Sequence, residues 1–151
     1  MDSLLKKLNL VNQQQGLLLN VPTELSDLTA AFTERLAVAT QPEDLLKADF
    51  VMAFVQTLAQ VEQVAAWVAT RTEGDAVVWM VYPKQSSKNY RCDFNRDAGW
   101  ASLGAAGFEP VRMVAVNADW SALRFRRAAF IKTMTRSRTI SEEGKSRMGV
   151  A

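Results

Sequence analysis

The sequence predicts an α/β protein, a three-layer sandwich whose mainly parallel sheet of about six strands is closed by an antiparallel hairpin. Apolar strand-like runs alternate with amphipathic helical stretches, a pattern typical of a parallel sheet covered by helices. The run 76–82, AVVWMVY, is apolar without alternation, which indicates a strand buried on both faces. The runs 111–117 and 122–127 are joined by a connection too short for a parallel crossover, so we expect them to be antiparallel.

The first half of the chain contains short elements. Residues 3–8, SLLKKL, predict a short helix, and 17–21, LLLNV, a short buried strand. The stretch 23–35 has apolar residues at helical spacing and acidic residues in its first turn, so it predicts a helix. Residues 36–40 indicate a second strand. Residues 42–48 begin with proline, which suits the first position of a helical turn.

The second half has longer elements. They are, in order, a strand at 49–55, a helix at 56–72, the central strand at 76–82, a helix at 95–106 and strands at 111–117 and 122–127. In the first helix apolar residues recur every three or four positions, and Gly74 ends it. In the second helix Asp93 or Asn95 is the expected cap, and Gly107 ends it.

The amino-acid composition excludes several kinds of catalytic site, metal site and cross-link. With 151 residues the chain fits one domain and can bury roughly two-thirds of its unfolded surface. It has no histidine, which excludes Ser-His-Asp and Cys-His catalysis within the chain and histidine-based metal sites. The single cysteine, Cys92, excludes an internal disulfide. The absence of a signal-peptide pattern and of an apolar run of about 20 residues predicts a cytoplasmic protein without a membrane span.

Charge is distributed unevenly along the chain. Residues 1–123 contain 10 Lys and Arg against 14 Asp and Glu, whereas residues 124–151 contain eight basic residues against two acidic ones. We therefore predict a single α/β domain over 1–133 and a basic polar tail over 134–151, either flexible or ordered by a partner. The basic residues could attract nucleic acid, or the tail could simply be solvated. A homodimer formed through an edge strand is a further expectation.

The loop 83–93 follows the central strand and is the strongest candidate for a site. Ligands of an open α/β sheet bind beyond the carboxyl ends of its parallel strands, and the Asn117–Ser121 turn is expected at the same edge. Cations, hydroxyls and backbone N–H groups that converge there suit an anion. The predicted anion-binding residues are Lys84, Ser86, Ser87, Lys88, Arg91, Asp119 and Trp120.

Each of these residues also has a simpler interpretation. The lysines and arginine could face water in an exposed loop. Asp119 could pair with Arg124 or Arg96. Trp120 could stack on a planar ligand, although we favour a role as a structural plug of the sheet. Cys92 lacks a histidine partner, so a buried inert thiol is favoured over a nucleophile.

An open parallel sheet finished by an antiparallel pair looks like the class I methyltransferase architecture, with strand order 2-1-3-4-6-5 and one or more early strand–helix units missing. Such enzymes have a glycine-rich loop after the first strand and an acid at the end of the second. Here the first strand is followed by Val21-Pro22-Thr23-Glu24 and the second by Thr40-Gln41. We therefore expect no cofactor, no metal ligands and no catalytic residues.

Four segments resemble a family of small uncharacterised bacterial proteins, a domain of unknown function. They are 78–84, 93–97, 110–116 and 120–126. Family members carry a W-x-x-x-P-K strand end, which is Trp79 to Lys84 here, and a closing D-x-W-S-x-L-R-F hairpin. The resemblance covers roughly 4–132 and is most specific over 78–126. It implies the trimmed methyltransferase-like sheet and no particular activity.

These observations favour a non-enzymatic binding or regulatory domain with an anion-binding edge at 83–93. The ligand would be an anionic small molecule or nucleic acid. The alternative predictions are an enzyme of unrecognised type on a methyltransferase-like scaffold, and a nucleic-acid-associated protein that uses its basic C-terminal tail. The missing histidine and cofactor loop place binding ahead of catalysis, although fold alone does not decide function.

Overall fold

A single sheet organises the chain in a computed structural model that describes residues 2–94 and 99–131. The described strands are β1 (Gln15–Leu19), β2 (Ala37–Ala39), β3 (Phe50–Phe54), β4 (Val77–Pro83), β5 (Phe108–Ala115) and β6 (Trp120–Arg127). The helices are α1 (Asp2–Lys7), α2 (Ser26–Thr33), α3 (Leu58–Arg71) and α4 (Ala101–Ala105). Short 3-10 turns cover Thr23–Leu25, Pro42–Asp44 and Ala128–Phe130.

The strand order is β2-β1-β3-β4-β6-β5. β1 pairs in parallel with β2 and β3, and β3 pairs in parallel with β4. β6 is antiparallel to both β4 and β5, and it lies between them. The predicted fold class is therefore confirmed, including the parallel sheet, the closing antiparallel hairpin and the strand order.

Two apolar layers sandwich the sheet. One layer joins alternate sheet residues such as Val78 and Met80 to α3 and α4, and the other joins Trp79 and Val81 to α1 and α2. All seven residues of β4 are buried. The absence of polar alternation in this strand is thus explained, because both of its faces are covered by side chains from helices.

Helix α3 begins at a capping box. The Thr57 hydroxyl accepts a hydrogen bond from the Gln60 N–H, and the Gln60 side chain accepts from the Thr57 N–H. The Asp93 carboxylate accepts from the Leu58 N–H at 2.7 Å, which satisfies another free donor of the first turn.

Asp93 therefore caps a different helix from the one that the sequence predicts. It was predicted to cap a helix at 95–106, but it caps α3, because the free N–H groups of α3 lie beside it in space. The later helix is α4, which is shorter and follows Gly99 at φ +94°. Residues 95–98, including the second candidate cap Asn95, lie outside the described residues.

The sharp turn after β1 is made by Asn20, which has a left-handed φ of +58°. Asparagine tolerates this conformation better than other residues with a Cβ. Its Nδ2 donates to the Phe54 carbonyl at 3.2 Å, so the end of β1 is tied to the end of β3. One asparagine thus provides a left-handed backbone turn without a glycine.

Replacing Asn20 with valine is expected to lower the free energy of unfolding by about 2 kcal/mol, since a β-branched residue is strained at positive φ and the bond to Phe54 is lost. Asn20→Gly is the matched control, because it keeps the backbone conformation, and its cost should be about 1 kcal/mol or less. Urea unfolding measures both. Equal costs for the two variants would contradict the role assigned to the left-handed turn.

Candidate functional site

Two pockets open at the edge of the sheet where the parallel strands end. The loop pocket, of about 560 Å³, lies beyond the end of β4 and is lined by β4, the 84–94 loop, Met113 of β5 and Ser121 of β6. The switch-point pocket, of about 830 Å³, lies beyond β1 and β2 and extends along α2. The chain passes from one side of β1 to the other between β2 and β3, so this second pocket lies where the strand order reverses.

The 84–94 loop is fastened to the β5–β6 turn through Asp119. The Ser87 hydroxyl donates to the Asp119 carboxylate at 2.7 Å, and Asn89 Nδ2 donates to the same group at 3.3 Å. The Lys84 N–H donates to the Asp119 carbonyl at 2.8 Å. Ser87 also accepts from the Tyr90 N–H at 3.1 Å. These bonds fix the course of the loop and hence the wall of the loop pocket.

The turn itself is shaped by Asn117. Its Oδ1 accepts from the N–H groups of Asp119 and Trp120 at 2.8 and 2.9 Å. This arrangement is a local asparagine turn, which explains why a five-residue connection from 117 to 121 can reverse the chain. It also directs the Asp119 carboxylate towards the loop.

The structure brings three of the seven predicted anion-binding residues, Lys84, Ser87 and Arg91, to the loop pocket. Ser86 and Lys88 are exposed and do not line it. They flank Ser87, whose N–H donates to the Lys84 carbonyl in a tight turn. The other two predicted residues lie behind the loop.

Behind the loop, Asp119 is bonded to Ser87 and Asn89, as described above. The Trp120 side chain is 1% exposed and packs on Tyr90 and Phe54, with ring centroids 4.7 and 5.1 Å away. This position agrees with the structural plug that the sequence favoured. Trp120 therefore supports the pocket from behind and does not line it.

The loop pocket has an excess of positive charge. Lys84 and Arg91 are the charged side chains among the described residues that line it, and no carboxylate is among them. Within residues 2–94 and 99–131 neither cation takes part in an ion pair. Lys84 is half-buried and Arg91 is exposed at the rim, so both ammonium and guanidinium charge are available to a ligand.

Cys92 also lines the loop pocket, but its thiol is not activated. Burial raises the pKa of Cys92, the charge of Asp93 raises it further, and a backbone hydrogen bond from Phe94 opposes the shift. The thiol is therefore protonated at neutral pH, and the thiolate is the nucleophilic form. The arrangement can bind negative charge and does not supply a cysteine nucleophile.

Sequence reasoning missed the aromatic part of this pocket. Tyr82, Tyr90 and Phe94 line it together with Met113. Tyr82 was assigned to the buried strand and Tyr90 was treated as part of a polar loop. The available signal was their position at the carboxyl end of β4, where even apolar side chains border the ligand edge.

Ser87→Ala is expected to destabilise the protein by about 1–2 kcal/mol, since it removes a hydrogen bond to a charged and partly buried carboxylate. Exchange of the Tyr90 amide hydrogen should become faster, because that N–H loses its acceptor. Ser86→Ala, in the same loop but exposed, should change neither quantity. Hydrogen exchange followed by NMR measures the effect, and unchanged protection of Tyr90 in Ser87→Ala would count against the fastening role.

The switch-point pocket has a different chemistry. Asn20, Val21 and Pro22 border it after β1, and Thr40 and Gln41 border it after β2. Hydroxyl side chains of α2 and the ring of Trp67 complete much of the lining. Glu34 is the acidic residue of the described lining, which contains no lysine or arginine. The turn after β1 therefore contains no glycine, and no acidic residue directly follows β2.

The part of the chain that the structure describes contains neither a cluster of metal ligands nor a membrane-spanning helix. No group of three or more Cys, Asp and Glu side chains there could hold a metal ion. None of the helices in residues 2–94 and 99–131 combines the length and apolar character needed to cross a membrane.

The sequence matches no protein-family model and no curated protein. Solved structures share the fold. An S-adenosylmethionine-dependent methyltransferase from Aquifex aeolicus aligns with a TM-score of 0.56 at 10% identity over 83% of this chain and 88% of that chain. The N-methyltransferase NodS from Bradyrhizobium japonicum aligns with a TM-score of 0.53 at 10% identity over 83% and 93%. The [4+2]-cyclase SpnF aligns with a TM-score of 0.55 at 11% identity over 83% and 78%.

The main functional prediction, a non-enzymatic binding or regulatory domain, is therefore wrong. The three solved structures named above are enzymes, two methyltransferases and a cyclase. The alternative prediction, an enzyme on a methyltransferase-like scaffold, agrees better with them. At 10–11% identity the likeness establishes the fold, and the reaction has to be derived from the pockets.

Proposed function

We propose that this protein is an enzyme on a methyltransferase-like scaffold, and that its small-molecule substrate carries an anionic group bound in the loop pocket. One observation supports this most strongly: the described lining of that pocket contains no carboxylate and two cations, Lys84 and Arg91, which form no ion pair with another residue of 2–94 and 99–131. Two like charges beside a concave surface attract an anion from solution and hold it where bulk water is partly excluded.

The two cations have different roles in this proposal. Lys84 is half-buried, and its backbone N–H is bonded to the Asp119 carbonyl. Its ammonium is a compact point charge at the pocket. Arg91 lies at the rim, where its planar guanidinium can bind a carboxylate or phosphate with two parallel hydrogen bonds. Cations fixed in this way stabilise negative charge that is present, or develops, on the substrate.

S-adenosylmethionine, which the name of the Aquifex aeolicus neighbour specifies, does not fit the residues of the switch-point pocket. Val21 and Pro22 occupy the turn where glycines would let a ligand approach the backbone, and Pro22 has no N–H to donate. Val21 is also packed against the apolar layer of α1 and α2. The residues directly after β2, Thr40 and Gln41, provide no carboxylate to bind ribose hydroxyls, so we derive no step of the reaction through this cofactor.

Residues behind the loop pocket hold its wall in place. Asp119 and Ser87 position the loop, and Trp120 supports it from behind. We infer one α/β domain over 1–133 with a basic tail over 134–151. The tail and its predicted nucleic-acid role lie outside the described residues. We also propose a cytoplasmic location, which the use of a single cysteine supports.

A thermal-shift comparison tests the proposal. Phosphate, succinate and ribose 5-phosphate are each titrated into wild type, Lys84→Ala and Lys88→Ala. Lys88 is the matched control, because it lies on the same loop, is exposed and does not line the pocket. At least one anion should raise the melting temperature of wild type and of Lys88→Ala, and the shift should be lost in Lys84→Ala.

Two results would contradict the proposal. The first is the absence of any shift with all three anions, and the second is an equal shift in wild type and Lys84→Ala. S-adenosylhomocysteine is added as a separate ligand, and it should leave the melting temperature unchanged. A shift with that compound would show that the protein binds it, which would contradict the poor fit of the switch-point pocket.

A further inference from the structure

We infer that the anionic ligand of the loop pocket carries a planar ring. The inference rests on the proposed function and narrows its substrate class to aryl or heteroaryl anions. Its basis is that aromatic side chains from both apolar layers of the sandwich meet at this pocket, one group on each side of the sheet edge. Lys84 and Arg91 belong to the same lining.

The first group lies on the side of α3 and α4. Tyr82 and Phe94 line the pocket, and their ring centroids are 6.1 Å apart. Both pack on Trp100, at 5.5 and 5.0 Å with interplanar angles of 67° and 77°. Trp100 is 5% exposed and rests in turn on Phe125. These rings are fixed from behind, so they present a preorganised aromatic surface to the pocket.

The second group lies on the side of α1 and α2. Tyr90 lines the pocket and packs on the buried Trp120 with centroids 4.7 Å apart, and Trp120 packs edge-on against Phe54. The Tyr90 backbone is held by its bond to Ser87, which is itself fastened to Asp119. The Tyr90 ring therefore has a defined position opposite a ligand, although the residue belongs to a loop.

Such a lining favours a flat ring over an aliphatic chain. A ring gains offset-stacked or edge-to-face contacts with aromatic neighbours, in addition to the burial of apolar area. Met113 adds a polarizable thioether, with its Sδ 3.9 Å from the Tyr82 hydroxyl oxygen, and sulfur packs well at the edge of a ring. The cations in the same lining require the negative charge to lie close to that ring. An aryl phosphate, an aryl carboxylate and a nucleotide share this chemistry.

Matched ligands isolate the ring. Methyl phosphate and phenyl phosphate carry the same anion and differ in the ring, while benzoate combines the ring with a carboxylate. Isothermal titration of each into the full chain should give phenyl phosphate an affinity about tenfold higher than that of methyl phosphate, the size expected for one stacked ring. Comparison of phenyl phosphate with benzoate then distinguishes the two anions.

Two variants assign the preference to the pocket. Tyr90→Leu keeps an apolar side chain but removes a ring, so the ratio between the affinities for phenyl and methyl phosphate should fall severalfold. Phe130→Leu is the matched control, because Phe130 is an exposed ring outside the pocket lining, and its ratio should equal that of wild type.

The possible binding results distinguish the ring inference from the anion site on which it rests. Equal affinities of methyl and phenyl phosphate in wild type would overturn the ring inference and leave the anion site standing. A wild-type preference that persists unchanged in Tyr90→Leu would also overturn the placement of the ring in this pocket. Failure of all three ligands to bind would overturn the ring inference together with the anion site on which it rests.

Discussion

Replacing Trp79 with alanine is expected to lower the free energy of unfolding by about 3–5 kcal/mol, the range for deleting a large buried aromatic side chain. The side chain is 0% exposed at the centre of β4, within the apolar layer of α1 and α2. Its indole N–H donates to the Leu8 carbonyl at 2.8 Å, across 71 positions of sequence. The variant therefore loses packing and leaves a buried carbonyl without its donor.

Urea unfolding measures this loss as a lower midpoint, provided that the slope of the transition is unchanged. Trp67→Ala is the matched control, since Trp67 is only partly buried on α3 and should cost distinctly less. Trp79→Phe separates the hydrogen bond from most of the packing and should cost an intermediate amount. A cost of Trp79→Ala no greater than that of Trp67→Ala would contradict the central position assigned to β4.

The double variant Lys84→Ala with Arg91→Ala is expected to weaken anion binding by about a hundredfold. Hydrogen bonds to charged groups contribute about 1.5–3 kcal/mol each, so each cation accounts for roughly a tenfold change when the two act independently. The affinity of wild type should fall as salt concentration rises, because mobile ions screen charges at the rim of a pocket. The double variant should have a much shallower salt dependence.

The control is a second double variant with the same net charge as Lys84→Ala with Arg91→Ala. Lys88→Ala with Lys6→Ala also removes two positive charges, but both residues are exposed and neither lines the loop pocket. Its affinity should stay within about twofold of wild type, since distant exposed charges contribute little. If both double variants weakened binding equally, a general effect of net charge would explain the result and the site assignment would fail.

The fold was largely predictable, because it depends on patterns that sequence displays directly. The uninterrupted apolar run of β4 predicted a strand buried on both faces, and the short connection 117–121 predicted the antiparallel pair. The use of Asp93 was not predictable in the same way. A carboxylate can cap whichever helix presents free N–H groups, and the nearest ones belong to α3, which starts 35 positions earlier in the chain.

The position of the loop pocket was predictable from the sequence, but the residues that line it were less so. Charge and the end of β4 pointed to the 83–93 loop, but Ser86 and Lys88 could not be separated from Ser87 and Lys84 before the turn within the loop was known. The error about enzyme function had a related origin. It rested on a missing glycine loop, whereas the fold is specified by apolar patterning that does not depend on that loop.

The position of β6 between β4 and β5 has a consequence for synthesis of the chain. During translation the outer edge of β4 has no partner until residues 120–127 emerge from the ribosome, and β5 has no place in the sheet before then. A nascent chain that ends before Trp120 therefore exposes an open, wholly apolar strand edge. Such edges recruit other chains, so this interval is when the protein depends most on chaperones or on rapid completion of its last strand.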